Sequence, residues 1–265
     1  MKKVAFLYDF DLTLIPTNMQ EYGLIQSYDM TPSEFWSECA KLEKEKKMDP
    51  ILTYMYLMLV KTRKQGKNIT KEYLRDFGKN VELFEGVEEW FDRIDEYARK
   101  YDISLKHYVI SSGLTEVIKG TKIANKFDKI FASDYMYDAA GNAIWPAITV
   151  NYTHKTQFIF RVNKGSLDIS DNKTVNEFIP HEEREVQISD MVYFGDGESD
   201  VPCMKVVKNK GGYAVAVHSP AIKSSKAKEL VITNRANYMV KAEYREGSKL
   251  DKMVKFIIRE IAKNN

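Results

Sequence analysis

Five short apolar runs recur along the chain, each closed by Gly, Asp or Ser: KVAFLYD (3–9), SLKHYVIS (104–111), KIFAS (129–133), MVYFGD (191–196) and YAVAVH (213–218). Their length and content predict buried β-strands. Between them lie segments with helical spacing of apolar residues: GVEEWFDRIDEYARK (86–100), LTEVIKGTKIANKF (114–127), THKTQFIFRVNK (153–164) and SDVPCMKVVKN (199–209). Strands alternating with helices predict βαβ units. The expected fold is therefore α/β, a Rossmann-like parallel sheet with helices on both faces. Ligands of such sheets bind beyond the carboxyl ends of the strands, and three of these strands, including the first, end in polar residues. In the last stretch, 246–265, Leu250, Met253, Val254, Ile257 and Ile261 recur at helical spacing. That helix is expected to pack on the sheet, with a dimer contact as its other use.

One region departs from the alternation. From 17 to 83 there are helix signals and no strand signal. Thr31, Pro32 and Glu34 form a capping box with Pro at the first helical position. Asp49 and Pro50 open a second helix, for which Gly66 is a stop, and Thr70 caps a third. The expected organisation is a core of 1–16 and 84–265 with a helical bundle, 17–83, inserted after the first strand. Tyr54, Met55 and Met58 share one face of the second helix and serve as bundle core or as the lining of a substrate chamber. The polar stretch 165–190 is longer than an ordinary connection, and it reads either as a surface excursion or as a border of the site.

Composition narrows the function. The chain has 265 residues, 44% of them hydrophobic, enough for a sizeable core. Its 40 basic and 38 acidic residues give a net charge of +2, with no basic footprint for nucleic acid. Cys39 and Cys203 form neither a disulfide framework nor a metal spacing, which suits a reducing compartment. Asp9 and Asp11 interrupt the first apolar run, so it does not read as a signal peptide, and no run is long enough to span a membrane. The expected location is the cytoplasm.

The chemistry gathers at the strand ends. In an extended strand residues i and i+2 face the same way, so Asp9 and Asp11 would meet beyond the first strand. Two close carboxylates either share a proton or bind a cation, although turns and caps also use such acids. Far along the chain Asp196 sits between Gly195 and Gly197, with Asp200 four residues on. Oxygen ligands without a His or Cys cluster suit Mg²⁺. Ser111, Ser112 and Gly113 close another strand ahead of a helical pattern, where hydroxyls and free N–H groups make an anion site. Lys155 lies near a helix start, where it opposes the helix dipole and needs another partner. His154 beside it reads chiefly as a helix-start residue.

In order, the chain offers Asp-x-Asp-x-Thr, Ser, Lys and Gly-Asp-Gly-x-x-Asp. The pieces DFDLT, VISSG, HKT and GDGESD resemble the haloacid dehalogenase (HAD) superfamily, and within it the phosphoserine-phosphatase-like phosphomonoesterases with an α-helical C1-type cap. DAAGNAIWP occupies the place of a small hairpin between the second and third motifs. The resemblance implies a Mg²⁺-dependent phosphatase acting on a small phosphorylated metabolite, as monomer or homodimer. Asp9 would be the nucleophile and form an aspartyl-phosphate. Asp11 would serve as general acid and base, and Thr13 would help position it. Ser111, Ser112, Gly113 and Lys155 would cradle the phosphoryl oxygens. Asp9, Asp11 (through its carbonyl) and Asp196 would hold the metal, with Asp200 as a further ligand or as the residue that orients them. The cap would close over the site and select the leaving group. A phosphotransferase using the same intermediate is the other enzyme reading, and a non-catalytic phospho-ligand sensor is a third. Phosphoserine phosphatases carry an acid early in the cap; the corresponding residue here is Asn18, with Glu21 offset, which argues against phosphoserine itself.

Overall fold

The computed structural model describes residues 1–220 and 224–263. β1 (Lys2–Tyr8) leads into α1 (Pro32–Lys46), α2 (Pro50–Lys64) and α3 (Lys71–Gly78), with no strand between β1 and α3. Then follow α4 (Val87–Arg99), β2 (Ile103–Leu114), α5 (Thr115–Gly120), β3 (Lys129–Tyr137) and β4 (Ala143–Ile148). The rest is α6 (His154–Lys164), α7 (Asn172–Asn176), β5 (Met191–Gly195), α8 (Val201–Asn209), β6 (Tyr213–His218), α9 (Ser225–Ile232), β7 (Tyr238–Lys241) and α10 (Lys249–Lys263).

The strands form one sheet in the order β4-β3-β2-β1-β5-β6-β7. All neighbours pair in parallel except β3 and β4, which form an antiparallel hairpin. The sequence order reverses around β1, which lies between β2 and β5. A crevice at such a switch point is where open α/β sheets bind ligands. Alternation along β1 explains the two faces: Val4, Phe6 and Tyr8 enter one buried cluster with residues of α4 and α10. Ala5 and Leu7 enter the other, with residues of α6, α8 and α9. The structure thus has the expected α/β class. β7 and α9 are elements the apolar pattern did not announce. No helix among the described residues is long and apolar enough to cross a membrane.

The helix starts in the inserted region follow their capping chemistry. Thr31 Oγ1 accepts from the Glu34 N–H at 3.3 Å while Glu34 Oε2 accepts from the Thr31 N–H at 2.8 Å. Asp49 accepts from the N–H groups of Ile51 and Leu52, and Thr70 from that of Tyr73. α2 and α3 are fastened to the sheet layer. Tyr135 Oη donates to the Met55 carbonyl at 2.8 Å, and the Ala143 N–H to the Ile69 carbonyl at 2.7 Å. Arg75 pairs at 2.6 Å with Glu116, which is 1% exposed. α3 and α5 meet at glycines: a Cβ on Gly78 would lie 2.1 Å from the Val117 carbonyl oxygen, and one on Gly120 the same distance from that of Arg75. Tyr54, Met55 and Met58 are buried in the cluster that also holds Val4 and Phe6.

The 165–190 stretch is a surface excursion. The buried Arg161 holds its near end by donating to the carbonyls of Ser166, Asp168, Ile169 and Asp171. None of its residues lines the cavity described next.

Candidate active site

At the carboxyl ends of β1 and β5 the chain brings together Asp9, Asp196 and Asp200. One carboxylate oxygen from each lies within 4.8 Å of the others. Asp9 follows β1, and its N–H still donates to the Phe194 carbonyl at 2.8 Å, extending the ladder by one bond. Asp9 Oδ1 also accepts from the Phe10 N–H at 2.8 Å. Lys155, fully buried at the start of α6, places Nζ 3.1 Å from Asp9 Oδ1 and 2.7 Å from Asp200 Oδ1. These acids are the partners its position in the helix called for.

Asp200 is held on every side. Oδ1 accepts from Lys155 and, at 2.7 Å, from Tyr193 Oη; Oδ2 accepts from the Gly197 N–H at 3.3 Å. Gly195 makes this possible, because a Cβ there would stand 2.5 Å from Asp200 Cγ. Gly197 has open space around it and no such need.

The structure corrects three local expectations. Asp11 does not share a strand with Asp9. β1 ends at Tyr8, and the chain turns through Leu12, which has φ +58°. Such a backbone is costly for a bulky residue, and a functional site is where it is tolerated. Asp9 and Asp11 nevertheless line the same cavity, of about 220 Å³, with Leu12, Asn18, Ser112 and Asp196. Second, Thr13 does not hold Asp11. Its Oγ1 is buried without a hydrogen-bond partner among the described residues, and its carbonyl accepts from Tyr244 Oη. The Met19 N–H holds Asp11 instead, at 2.8 Å from Oδ1. Third, Ser111, Ser112 and Gly113 are not a helix start. β2 runs on to Leu114, with a bulge against β3, and α5 begins at Thr115. Ser111 is buried, and its Oγ accepts from the Gly113 N–H at 3.0 Å, leaving the hydroxyl proton to donate. Ser112 is the member on the cavity wall. Its carbonyl accepts from Tyr54 Oη at 2.7 Å, which ties α2 to this turn. A Cβ on Gly113 would overlap Met19 Cε at 2.0 Å and approach Asp11 Oδ2 to 3.2 Å.

The electrostatics follow from burial. Burial, the charge of Asp9 and the nearness of Glu21 push Asp11 up to about 8, against the pull of the Met19 N–H and Lys155. Burial and Asp200 push Asp196 up to about 7, opposed by Lys155. Burial and Asp200 likewise raise Asp9. Burial pulls Lys155 down, but Asp200 and Asp9 outweigh it and hold the ammonium charged. One lysine cannot neutralise this many acids. An all-oxygen donor set with excess negative charge suits a hard divalent cation.

His154 Nδ1 contacts the Thr149 carbonyl at 2.8 Å, so it belongs to the loop and not to the phosphate site. Sequence reasoning missed Tyr193, Met19, Ser199 and Lys226. Ser199 Oγ accepts from Lys155 at 3.3 Å, and Lys226 lines the cavity. Nothing local marks any of them. Tyr193 lies in an apolar strand, and Lys226 in a Lys-rich helix. A larger cavity of about 440 Å³, along β3, contains none of the clustered carboxylates and is not the site.

The sequence profile of haloacid dehalogenase-like hydrolases matches residues 6–205. The chain belongs to this family. An uncharacterised protein of Borreliella burgdorferi is 30% identical over 274 residues, covering 93% of each chain. Among solved structures, a phospho-aspartyl intermediate analogue of phosphoserine phosphatase superposes with a TM-score of 0.55 at 18% identity, over 97% of this chain and 100% of that one. A probable phosphoserine phosphatase from Vibrio cholerae gives 0.59 at 15%, over 98% and 66%. Cytosolic 5′-nucleotidase IIIB bound to cytidine gives 0.53 at 14%, over 100% and 87%. At these identities the structures share the fold.

Proposed function

We propose that the protein is a Mg²⁺-dependent phosphatase that hydrolyses a small phosphomonoester through an aspartyl-phosphate on Asp9. The observation that carries this is the pairing of Asp9 with Lys155 at 3.1 Å, beside Asp196 and Asp200 and in one cavity with Asp11. Family membership and the phosphatase folds it superposes on support it.

Asp9 Oδ attacks phosphorus while the bond to the leaving oxygen breaks. Asp11, whose burial favours its protonated form, gives its proton to that oxygen, and the alcohol departs. Asp11, now a carboxylate, takes a proton from water, which attacks the phosphorus. The phosphorus–Oδ bond breaks, inorganic phosphate leaves, and Asp9 is restored. Ser111 and Ser112 donate to the transferring oxygens, Gly113 orients the Ser111 hydroxyl through the N–H it gives to Ser111 Oγ, and Lys155 offsets the phosphoryl charge. Asp9, Asp196 and the Asp11 carbonyl would hold the Mg²⁺. With both its oxygens occupied, Asp200 orients Lys155 and closes the donor set. Bound there, the cation reduces the repulsion between an anionic nucleophile and an anionic phosphate. Residues 17–83 form the cap that covers the site, and the remainder is the catalytic core.

The test is phosphate release from a panel of phosphate esters with Mg²⁺ present. Asp9→Asn is expected to abolish turnover of every ester the wild type hydrolyses. Full activity in that variant would refute the nucleophile.

A further inference from the structure

The described residues lining the catalytic cavity include four carboxyl side chains, Asp9, Asp11, Asp196 and Glu198, and one cation, Lys226. Lys155 lies behind the wall, committed to Asp9 and Asp200. Lys226 is differently placed. It faces Glu198 at 4.0 Å, with side chains 69% and 80% exposed. An ion pair so long and so solvated holds its members weakly. Lys226 is therefore available to another anion.

Its position says where that anion would come from. Lys226 is in the first turn of α9. It lines not only the catalytic cavity but a second one of about 300 Å³, and Leu12, Asp196 and Lys226 belong to both walls. The second cavity is completed by Val217, Ala227, His218, Ser219 and Ser225, a largely apolar surface that Lys226 shares with the catalytic cavity. Among the described residues, none of the others lining the catalytic cavity carries a positive charge. Asn18 also lines it, its amide N–H donating to Glu21 Oε1 at 2.7 Å, and the same oxygen accepts from the Trp36 indole at 2.9 Å. Among the described lining residues, Lys226 alone would attract a leaving group with a second negative charge, which Asp9, Asp11, Asp196 and Glu198 would repel.

We propose that Lys226 is a specificity residue that binds a second anionic group of the substrate, a carboxylate or a second phosphate, on a leaving group that extends past Leu12 into the adjoining cavity. This rests on the phosphomonoesterase reading above. It assigns the substrate to the class of phosphate esters with a further acid function, and it gives the enzyme a reason to discriminate against neutral polyol phosphates of equal size.

The test uses matched pairs with Mg²⁺ present. 2-Phosphoglycerate and glycerol 2-phosphate differ by a carboxylate in place of a hydroxymethyl group. Fructose 1,6-bisphosphate and fructose 1-phosphate differ by a second phosphate at longer reach. The readout is the ratio of kcat/KM within each pair for wild type, Lys226→Met and Lys226→Arg. Wild type is expected to favour the doubly anionic member of at least one pair. Lys226→Met should lower that ratio about tenfold or more, mainly through KM, as expected for one lost charge-assisted contact. Lys226→Arg should retain the preference. If wild type hydrolyses these esters but shows no preference, or if the ratio is the same in Lys226→Met, the assignment of Lys226 is overturned and the phosphatase reading stands. If folded wild type releases phosphate from no ester at all, the phosphatase reading fails and this inference falls with it.

Discussion

Replacing Gly195 with alanine separates two kinds of glycine that look identical in the motif. The new Cβ would sit 2.5 Å from Asp200 Cγ and Oδ2 and 2.8 Å from its Cβ. Restoring ordinary contact near 3.4 Å requires a displacement of about 0.9 Å. The carboxylate cannot retreat freely, because it bonds Lys155 and Tyr193 at 2.7 Å each and is fully buried. Overpacking of this kind costs about 1–3 kcal/mol. In a protein of this size that lowers Tm by roughly 2–10 °C. Misplacing catalytic groups by nearly 1 Å costs about 100-fold in turnover. Gly197→Ala is the control. Its Cβ would meet nothing within 4 Å, and φ of −144° is extended backbone open to any residue. Its Tm is expected to stay within about 1 °C of wild type, in the range of neutral substitutions. The assays are thermal unfolding and phosphate release with Mg²⁺. Equal losses of stability in the two variants would refute the steric account of Gly195.

Tyr193→Phe removes one of the two short donors to Asp200 Oδ1 and leaves a buried carboxylate under-satisfied. It should cost about 1–3 kcal/mol by denaturant unfolding; an unchanged midpoint would deny Tyr193 that role. EDTA should stop phosphate release and Mg²⁺ restore it, whereas turnover in excess chelator would contradict the cation's part. Metal-free protein should lose stability as pH rises from about 4 to 8. Asp11 and Asp196, at about 8 and about 7, keep protons in the folded state that the unfolded chain has released. With more protons bound when folded, stability is full below the unfolded carboxylate range, near pH 4, and falls as pH climbs through the folded values. Tm measured across that window should show a shallower slope in Asp11→Asn and with saturating Mg²⁺. An identical slope in all three would refute this account.

Much of this was legible in the residues because burial and chemistry coincide at strand ends. An apolar run that stops at Asp9, and another that stops at Asp196, state both the strand and its site. The caps at Thr31, Asp49 and Thr70 were equally plain, since each hydroxyl or carboxylate satisfies N–H groups within a few residues of itself. Long-range partners were hidden. That Lys155 reaches Asp9 and Asp200 depends on α6 packing against α8 and β2. The turn at Leu12 is set by tertiary contacts, so the parity argument placed Asp11 on a strand it does not belong to. Ser112 and Gly113 extend β2 because β3 pairs beyond them, which local propensity does not record. β7 escaped notice because YMVK at a sheet edge is short and ends in a charge. α9 did so because its apolar positions are few, and Lys226 was lost with it.

The glycine contact between α3 and α5 bears on how such an enzyme can change its diet over evolutionary time. α5 follows directly on the Ser111–Ser112–Gly113 turn, and α3 rests on it backbone to backbone, so a bulky residue at Gly78 or Gly120 would push that turn out of place. α3 is thereby fixed against the core at backbone distance. Drift toward new nutrients has more room on the exposed rim near α9, where the side chains of Lys226 and Glu198 are 69% and 80% exposed.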